Sequence, residues 1–474
     1  VAHYVTEGSA LDDEARERGT SVYFPDRAVH MLPADLAAHL CSLKPGEDRL
    51  VQSCLMDVDD NGTVVRYELH DGVIRSSARM TYNEVNAILT DRDPAALAKY
   101  ERLLPLVEEM RVLFDRLHAR RRRRGAIDFD LPQPEIILDA AGLVEAIVPA
   151  ERNVAHRMIE EFMLLANETV ASHVDRYGYP SLYRVHDAPD PFKVDEFASF
   201  VACLGFRFET APTGVRPRDF QRLVEQIRGV PMEKPVAFLM LRTMQLAKYE
   251  AENRGHFGLA LETYTHFTSP IRRYPDLVVH RLLREARRGR LEGPRPDGEA
   301  DRLADVARQS SDRERRAMEA ERELVQWKKA RFMADKIGEE FDGVVTGVAA
   351  FGLFVELAEH FVEGLVHVST LADDVYRFAE TDLQLRGEYT RRVFRMGDRV
   401  RVQVARVDPE RRQIELALVD VLEHVRVQRV APPKRASGKG KPTRTKAGAK
   451  AGAKSGRPTR PVRGSGRVRS RRRR

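Results

Sequence analysis

Hydrophobic positions along this chain of 474 residues change their period twice. From Val1 to about Thr90 they alternate with polar ones in short runs, "TSVYFP", "RLVQSCLMDV" and "TVVRYELHDGVI", and the opening "VAHYV" reads the same way. That is the period of half-buried strands. From about Asp93 the spacing becomes helical: Leu103, Val107, Met110, Leu113 and Leu117 share one face, and Gly125 supplies a stop. A short strand-like pair, "AIDFDLPQPEIILDAAGLVEAIVP", precedes a helix over "NVAHRMIEEFMLLANETVASHVDRYG". Further helices are predicted near 192–204, 217–228, 234–250, 275–290 and 299–337. Past Phe341 the period returns to two, in "FDGVVTGVAAFGLFVEL", "VEGLVHVSTL", "DRVRVQVARVD" and "QIELALV", with glycines at the bends. A small barrel is the natural closure of such strands.

The pattern therefore predicts an α+β (mixed α/β) domain over 1–338, an all-β barrel over 339–420 and a segment of different texture over 421–474. One stretch of the first domain, "DVDDNGTVVRYE" from Asp57 to Glu68, matches a calcium-binding loop: Asp57, Asp59 and Asn61 alternate, Gly62 follows, and Glu68 stands at the twelfth position. The flanks decide against it. A calcium loop of this kind needs a helix on each side, whereas Pro45-Gly46 comes before it and Gly72 breaks any helix starting at Glu68. Two strand-grade runs separated by Asp-Asn-Gly predict a hairpin turn with solvated carboxylates.

Composition changes the picture mainly at the C-terminal end. Of the 79 lysines and arginines, 17 fall in 431–474, which has no Asp or Glu, so the preceding residues carry 62 bases against 72 acids. The tail is built almost entirely from Lys, Arg, Gly, Pro, Ala, Ser and Thr and is expected to be disordered. Such a segment seeks polyanions, because each neutralised phosphate releases counterions. A purely solubilising role is the alternative. Cys41, Cys54 and Cys203 are widely spaced and form no CxxC pair, so buried, inert thiols are expected and no metal cluster or disulfide framework. No run of about 18 apolar residues suggests a membrane span, and the default compartment is the cytoplasm.

The segment richest in chemistry is "ENRGHFGLALETYTHFTSPIRRYPDLVVHRLL", residues 252–283. Arg272 and Arg273 stand just before a helix that begins near Pro275. Guanidinium groups beside the positive end of a helix suit a phosphate or a phosphoryl transition state. Capping the helix and pairing with acids is the structural alternative. A second basic run, Arg120 to Arg124, sits where a helix C-terminus favours cations, so the dipole explains it as readily as phosphate contact does.

With "LDDEARERGTSVYFPDRAVHMLPADLAAHLCSLKPGEDRL", "ENRGHFGLAL" and "HFTSPIRRYPDLVVHRLL" in view, the chain from Val1 to about Leu418 resembles the ribonuclease II and ribonuclease R family of processive 3′→5′ exoribonucleases, most closely ribonuclease R. The barrel is similar to the OB-fold RNA-binding barrel that ribosomal proteins also use. The resemblance implies hydrolysis of single-stranded RNA to nucleoside 5′-monophosphates. It matches Tyr23 to the tyrosine that stacks on the 3′-terminal base and Phe129 to the aromatic that clamps the stack from its other end. Tyr82 and Glu160 match residues that bond ribose hydroxyls, a contact that prefers RNA to DNA. Arg272 matches the arginine that stabilises charge on the scissile phosphate, with Arg273 beside it. Glu321 matches an acid near the same centre, with Glu319 and Glu323 close enough to compete. Phe351, Phe354 and His367 lie where such barrels present stacking side chains. Core packing for the aromatics and plain helix exposure for Glu160 remain the alternatives.

The family holds Mg²⁺ on an aspartate cluster spaced D-x₅-D-x-D-D, which precedes the segment matching "VAHYV" and is absent from these residues. The ligands are therefore expected upstream of Val1, and residues 1–474 alone are expected to be inactive; Asp57, Asp59 and Asp60 do not replace them. A noncatalytic RNA-binding protein is the alternative. The expected partners are single-stranded RNA and, through the tail, the ribosome or other RNA-bound complexes; no membrane is expected, and the chain is expected to be a monomer.

Overall fold

The computed structural model describes residues 1–128, 134–211, 214–230, 232–289, 298–380 and 383–423. Its first elements correct the strand reading of the N-terminal region. Val1–Val5 is a turn in which the N–H groups of Tyr4 and Val5 both donate to the Val1 carbonyl. Ala10–Arg18 then forms helix α1, with Ser9 as N-cap and Gly19 at φ 68° as its end. Its few apolar residues left no helical stripe to read; what fixes it is the cap and the burial of Asp12 and Ala15.

Strands β1 (Val22–Tyr23) and β2 (Ala28–Val29) make a two-residue pair. A long hairpin, β3 (Asp48–Val58) and β4 (Val64–Arg75), comes after them and carries the suspected calcium loop at its turn. There Asp59 Oδ1 accepts from the N–H groups of Asn61 and Thr63, Asp60 pairs with Arg116, and Glu68 lies well along β4 bonded to Arg66. The acids are used by the turn and its neighbours, as a hairpin requires.

Helices α2 (Tyr82–Asn86), α3 (Pro94–Lys99) and α4 (Leu104–Arg124) come next, and Gly125 ends α4 at φ 91°. Its missing side chain also matters, because a Cβ there would sit 2.9 Å from Arg218 Cβ. The hairpin β5 (Pro134–Leu138) and β6 (Val144–Pro149) leads into α5 (Val154–Arg176) and β7 (Tyr183–Val185). Helices α6 (Pro191–Cys203), α7 (Pro217–Ile227) and α8 (Glu233–Thr243) pack around Val201, Phe220, Leu223, Val236 and Met240. The helix predicted to reach 250 stops at Thr243. Lys248–Glu250 is instead strand β8, paired with β7, and the Tyr249 N–H donates to Ser311 Oγ. Tertiary pairing overrides helix propensity there.

Helices α9 (Tyr274–Arg287) and α10 (Glu299–Ala334) share the largest core with β7 and the N-terminal turn, through Val5, Met31, Leu182, Leu277, Leu283, Leu303 and Val306. Each such fully buried side chain contributes about 1.5–3 kcal/mol. Beyond α10 come the strands β9 (Glu340–Ala349), β10 (Gly352–Leu357), β11 (Glu363–His367), β12 (Tyr376–Ala379), β13 (Gln384–Gly387), β14 (Val393–Arg395), β15 (Arg399–Asp408) and β16 (Gln413–Leu418). Five close a barrel in the order β10-β11-β16-β15-β9, and β12–β14 form a separate three-stranded sheet that the hydrophobic pattern did not predict. Gly352 is required where β10 meets β11, since a Cβ would come 2.2 Å from the Val366 carbonyl oxygen. Met333 of α10 and Ile147 of β6 enter the barrel core, joining it to the first domain.

Cys41 and Cys54 are half-buried and Cys203 is exposed, which corrects the expectation that all three are buried. Burial pushes the Cys54 thiol up to about 11, so that thiol stays protonated near neutral pH. No helix among the described residues is long and apolar enough to cross a membrane. The basic segment lies, from residue 424 onward, outside the described residues.

Candidate active site and nucleic-acid interface

Sequence-distant residues meet at the corner before α9. The Ser21 N–H and Thr20 Oγ1 both donate to the Arg272 carbonyl oxygen, at 2.9 and 3.1 Å, and the Tyr274 N–H donates to the Gly19 carbonyl. Two residues beyond Ser21, the Tyr23 N–H donates to Glu321 Oε1 at 2.6 Å. Tyr23, Arg272 and Glu321 are thereby gathered around one short strand. Tyr23 is 48% exposed, so its ring is available for stacking rather than committed to the core. Arg272 is exposed and its guanidinium has no protein partner among the described residues. Of the competing acids, Glu323 pairs with Arg412.

Arg273 has the opposite fate. Its Nη2 donates to Asp276 Oδ1 at 2.7 Å, and that fully buried oxygen also accepts from the Ser269 N–H at 2.7 Å. Asp276 thus staples the turn that presents Arg272. Burial disfavours the Arg273 charge, but Asp276, Tyr249 and Tyr264 outweigh it and keep the group firmly protonated. Beneath it lies a network of rings: Tyr249 Oη bonds His266 Nδ1 at 2.8 Å, and Asn167 of α5 donates to Tyr264 Oη and accepts from the Phe267 N–H, each at 2.9 Å. The "RGHFGLAL" loop is held by neutral imidazoles, since the Gly258 N–H donates to His186 Nδ1 and the Leu259 N–H to His256 Nδ1. Burial pushes His256 down to about 3 and His266 well below its ordinary range.

A second group gathers at the other end of α5, seven residues or about 10 Å before Asn167. Tyr82 stacks on His156, with ring centroids 4.0 Å apart. Glu160, one turn further along, is bonded by Arg121 at 2.9 Å and Arg152 at 2.8 Å. Its partial burial raises its carboxyl, but those two guanidinium groups overcome this and leave it below the usual carboxylate range. Arg121 and Arg152 also approach Asp128, at 3.9 and 3.5 Å. Phe129, the next residue, lies outside the described residues.

On the barrel, Phe351 and Phe354 meet edge to face at 5.8 Å, and His367 pairs in register with Gly352 between them. Phe351 is 49% exposed, Phe354 partly so, and His367 exposed, and the strand register brings all three to the same end of the β10–β11 pair.

The Arg120–Arg124 run is largely consumed inside the protein. Arg120 and Arg124 bond Glu168, Arg121 bonds Glu160 and Glu161, Arg122 bonds Glu225, and Arg123 donates to the Asn61 carbonyl. Among the described residues no group of three or more His, Cys, Asp or Glu is arranged to hold a metal ion, Asp57, Asp59 and Asp60 included. Sequence reasoning missed His156, Asp276 and Arg152. Asp276 carried a signal, an acid in the first turn after Pro275, but nothing in one sequence marks an arginine 31 residues from another as its partner on the same carboxylate.

The RNB domain model matches residues 1–289, and the S1 RNA binding domain model matches residues 334–418. The chain is 49% identical to ribonuclease R of Aquifex aeolicus over 425 residues, 89% of this chain and 59% of that protein. It is 40% identical to ribonuclease R of Escherichia coli over 428 residues, 88% of this chain and 52% of that protein. The structure of Mycoplasma genitalium RNase R in complex with ribose-methylated single-stranded RNA superposes with a TM-score of 0.81 at 29% identity, covering 88% of this chain and 65% of that one. The chain thus spans between half and two-thirds of the length of these relatives.

Proposed function

The chain belongs to the ribonuclease II and ribonuclease R family, defined by its RNB domain, and from that premise we propose that the protein is a processive 3′→5′ exoribonuclease acting on single-stranded RNA. The observation that carries the reading is the convergence of an exposed Tyr23, an unpaired Arg272 and Glu321 on one corner. In this reading Tyr23 stacks on the 3′-terminal base, which is sequence-tolerant because every base offers a π-face. Water attacks the last phosphodiester, the 3′-oxygen of the penultimate nucleotide leaves, and a nucleoside 5′-monophosphate is released. Arg272 offsets charge gathering on the non-bridging oxygens. Glu321 acts through its hold on the Tyr23 backbone. Tyr82 and Glu160 contact ribose hydroxyls, Phe129 clamps the far end of the stack, and Phe351, Phe354 and His367 lead the strand in across the barrel. Arg273, tied to Asp276, contributes by shaping the turn.

Mg²⁺ belongs to this reading as the family's cofactor. The described residues do not fit it, because no three of their His, Cys, Asp or Glu side chains are arranged to hold a metal ion. The functional division runs along residues 1–338 and 339–420, and the basic tail adds sequence-independent affinity for RNA, including ribosome-bound RNA. A cytoplasmic monomer suits this reading.

The test is digestion of 5′-labelled single-stranded RNA by the full-length protein with Mg²⁺. Products shortening from the 3′ end, together with nucleoside 5′-monophosphates, are expected, and Arg272→Ala should stop them. Internal cuts would refute the exonuclease reading. Tight binding without any cleavage would leave a noncatalytic RNA-binding protein.

A further inference from the structure

A cavity of about 310 Å³ opens between α4, α5 and α7, lined by His118, Arg121, Asp128, Arg157, Gln221 and Arg228, with Arg122 and Glu225 at its edge. The sequence offered one pointer to it, the Arg120–Arg124 run, where phosphate contact stood beside the helix dipole as an explanation. Three features set it apart from a mere seam between helices. Arg121 is only 8% exposed, and its Nε has no hydrogen-bond partner. The rest of its guanidinium is held by Glu160, Glu161 and Asp128, which fixes Arg121 as part of the cavity's wall. Arg157, half-buried, touches no carboxylate: its Nη2 meets His118 Nε2 at 3.2 Å and its guanidinium lies over the Phe114 ring at 5.9 Å. Arg228, exposed just past the end of α7, has no ion-pair partner among the described residues.

The charge balance can be traced residue by residue. Arg122 is matched by Glu225, while Arg121 and Arg152 are matched by Glu160, Glu161 and Asp128. Those two arginines face three carboxylates, so Arg157 and Arg228 together leave one net positive charge; both line the cavity, Arg157 near enough to Asp128 to favour its charged form. His118 Nε2 already accepts from Arg157 and its Nδ1 faces Glu161 Oε1 at 3.3 Å. Two lining guanidinium groups that contact no carboxylate suit an anion with several oxygens, and a planar fork suits phosphate in particular.

We propose that this cavity is a phosphate-binding subsite, with Arg157 and Arg228 as its cationic walls. It shares Arg121 with Glu160, so it lies next to the group assigned above to ribose contact. The phosphate has two possible sources, the backbone of a bound RNA strand or a free mononucleotide. The inference rests on the proposed function only for the first source.

The experiment compares wild type, Arg157→Gln and Arg228→Gln in the full-length protein, with thermal melting to confirm folding. Binding of a non-cleavable 2′-O-methyl oligonucleotide is measured over a series of salt concentrations, and binding of adenosine 5′-monophosphate and of inorganic phosphate by titration calorimetry. A strand phosphate in the cavity predicts that each substitution weakens oligonucleotide binding several-fold and lowers the log–log salt slope by about 0.7. A free nucleotide predicts a phosphate-dependent heat in wild type, lost in both variants, with the oligonucleotide slope unchanged. If Arg228→Gln, at an exposed position where folding is secure, changes neither the slope nor the calorimetric heat, the subsite does not exist. Tyr23→Ala, run in parallel, separates the two ideas: loss of RNA affinity there, with none at Arg157 or Arg228, would sink the cavity proposal alone.

Discussion

The backbone N–H of Tyr23 donates to Glu321 Oε1 across 2.6 Å, tying a two-residue strand to the long helix α10. A carboxylate is well suited to hold that strand, but a neutral amide oxygen could accept the same bond. Glu321→Gln should therefore keep oligoribonucleotide affinity within about twofold, and Glu321→Ala should lower it about five- to tenfold, near the 1 kcal/mol of a typical hydrogen bond. Tyr23→Ala should cost about 1–3 kcal/mol of binding, and Tyr23→Phe almost nothing. Fluorescence anisotropy with a 5′-labelled oligonucleotide measures all four. An equal loss in Glu321→Gln and Glu321→Ala would mean that the charge, rather than the strand anchor, matters.

The adjacent arginines should part company on substitution. Among the described residues the Arg272 side chain makes no contact whose loss would destabilise the fold, so Arg272→Ala should leave the melting temperature within about 1–2 °C, while hydrolysis falls at least about 10²-fold. Arg273→Ala removes the cation from a fully buried carboxylate and should cost about 3–5 kcal/mol of stability. Differential scanning calorimetry beside an RNA-degradation assay distinguishes them. A destabilised Arg272→Ala would contradict the exposed, unpaired side chain.

This pair also marks how far a single sequence can be read. The turn, the helix start at Tyr274 and the chemistry of two guanidinium groups were legible, because proline and the helix terminus act locally. Which arginine faces solvent was not, because that depends on Asp276 and on Tyr249 and Tyr264, which reach the same pocket from elsewhere in the chain. The same division runs through the fold. Strong periodicity placed α4, α5 and the barrel strands within a few residues, whereas α1, β8 and the β12–β14 sheet escaped: their identity comes from a cap or from partners remote in sequence. The Arg120–Arg124 run shows the reverse case, a conspicuous motif whose side chains mostly find acids and carbonyls of the same protein.

Tyr82 and Glu160 carry a prediction about sugar selectivity. Tyr82→Phe keeps the stack on His156 and removes only the hydroxyl, so it should narrow the difference between RNA and DNA oligonucleotide binding without changing stability. Glu160→Gln should narrow it too, and it will also loosen Arg121 and Arg152. Competition binding with matched RNA and DNA sequences decides: equal losses on both polymers would remove these residues from ribose recognition.

Acid should unfold the protein through its buried histidines. His256, lowered to about 3, and His280, lowered to about 4, are neutral in the folded state, where burial excludes their charged forms. In the unfolded chain both titrate near 6.5. Because the folded values lie below the unfolded ones, stability is complete above about pH 6.5 and declines as the pH falls, since the unfolded chain takes up protons that the folded one refuses. At pH 5 each site costs about 2 kcal/mol, and the loss levels off only below its folded value. Replacing His280, whose Nε2 donates to the Phe267 carbonyl at 2.7 Å, by Gln should lower stability at pH 7 yet flatten its decline between pH 6.5 and 5. Urea unfolding at several pH values supplies the slopes. A variant that loses stability at neutral pH but declines as steeply as wild type would show that His280 titrates in the folded protein and that its burial is not what makes the fold sensitive to acid.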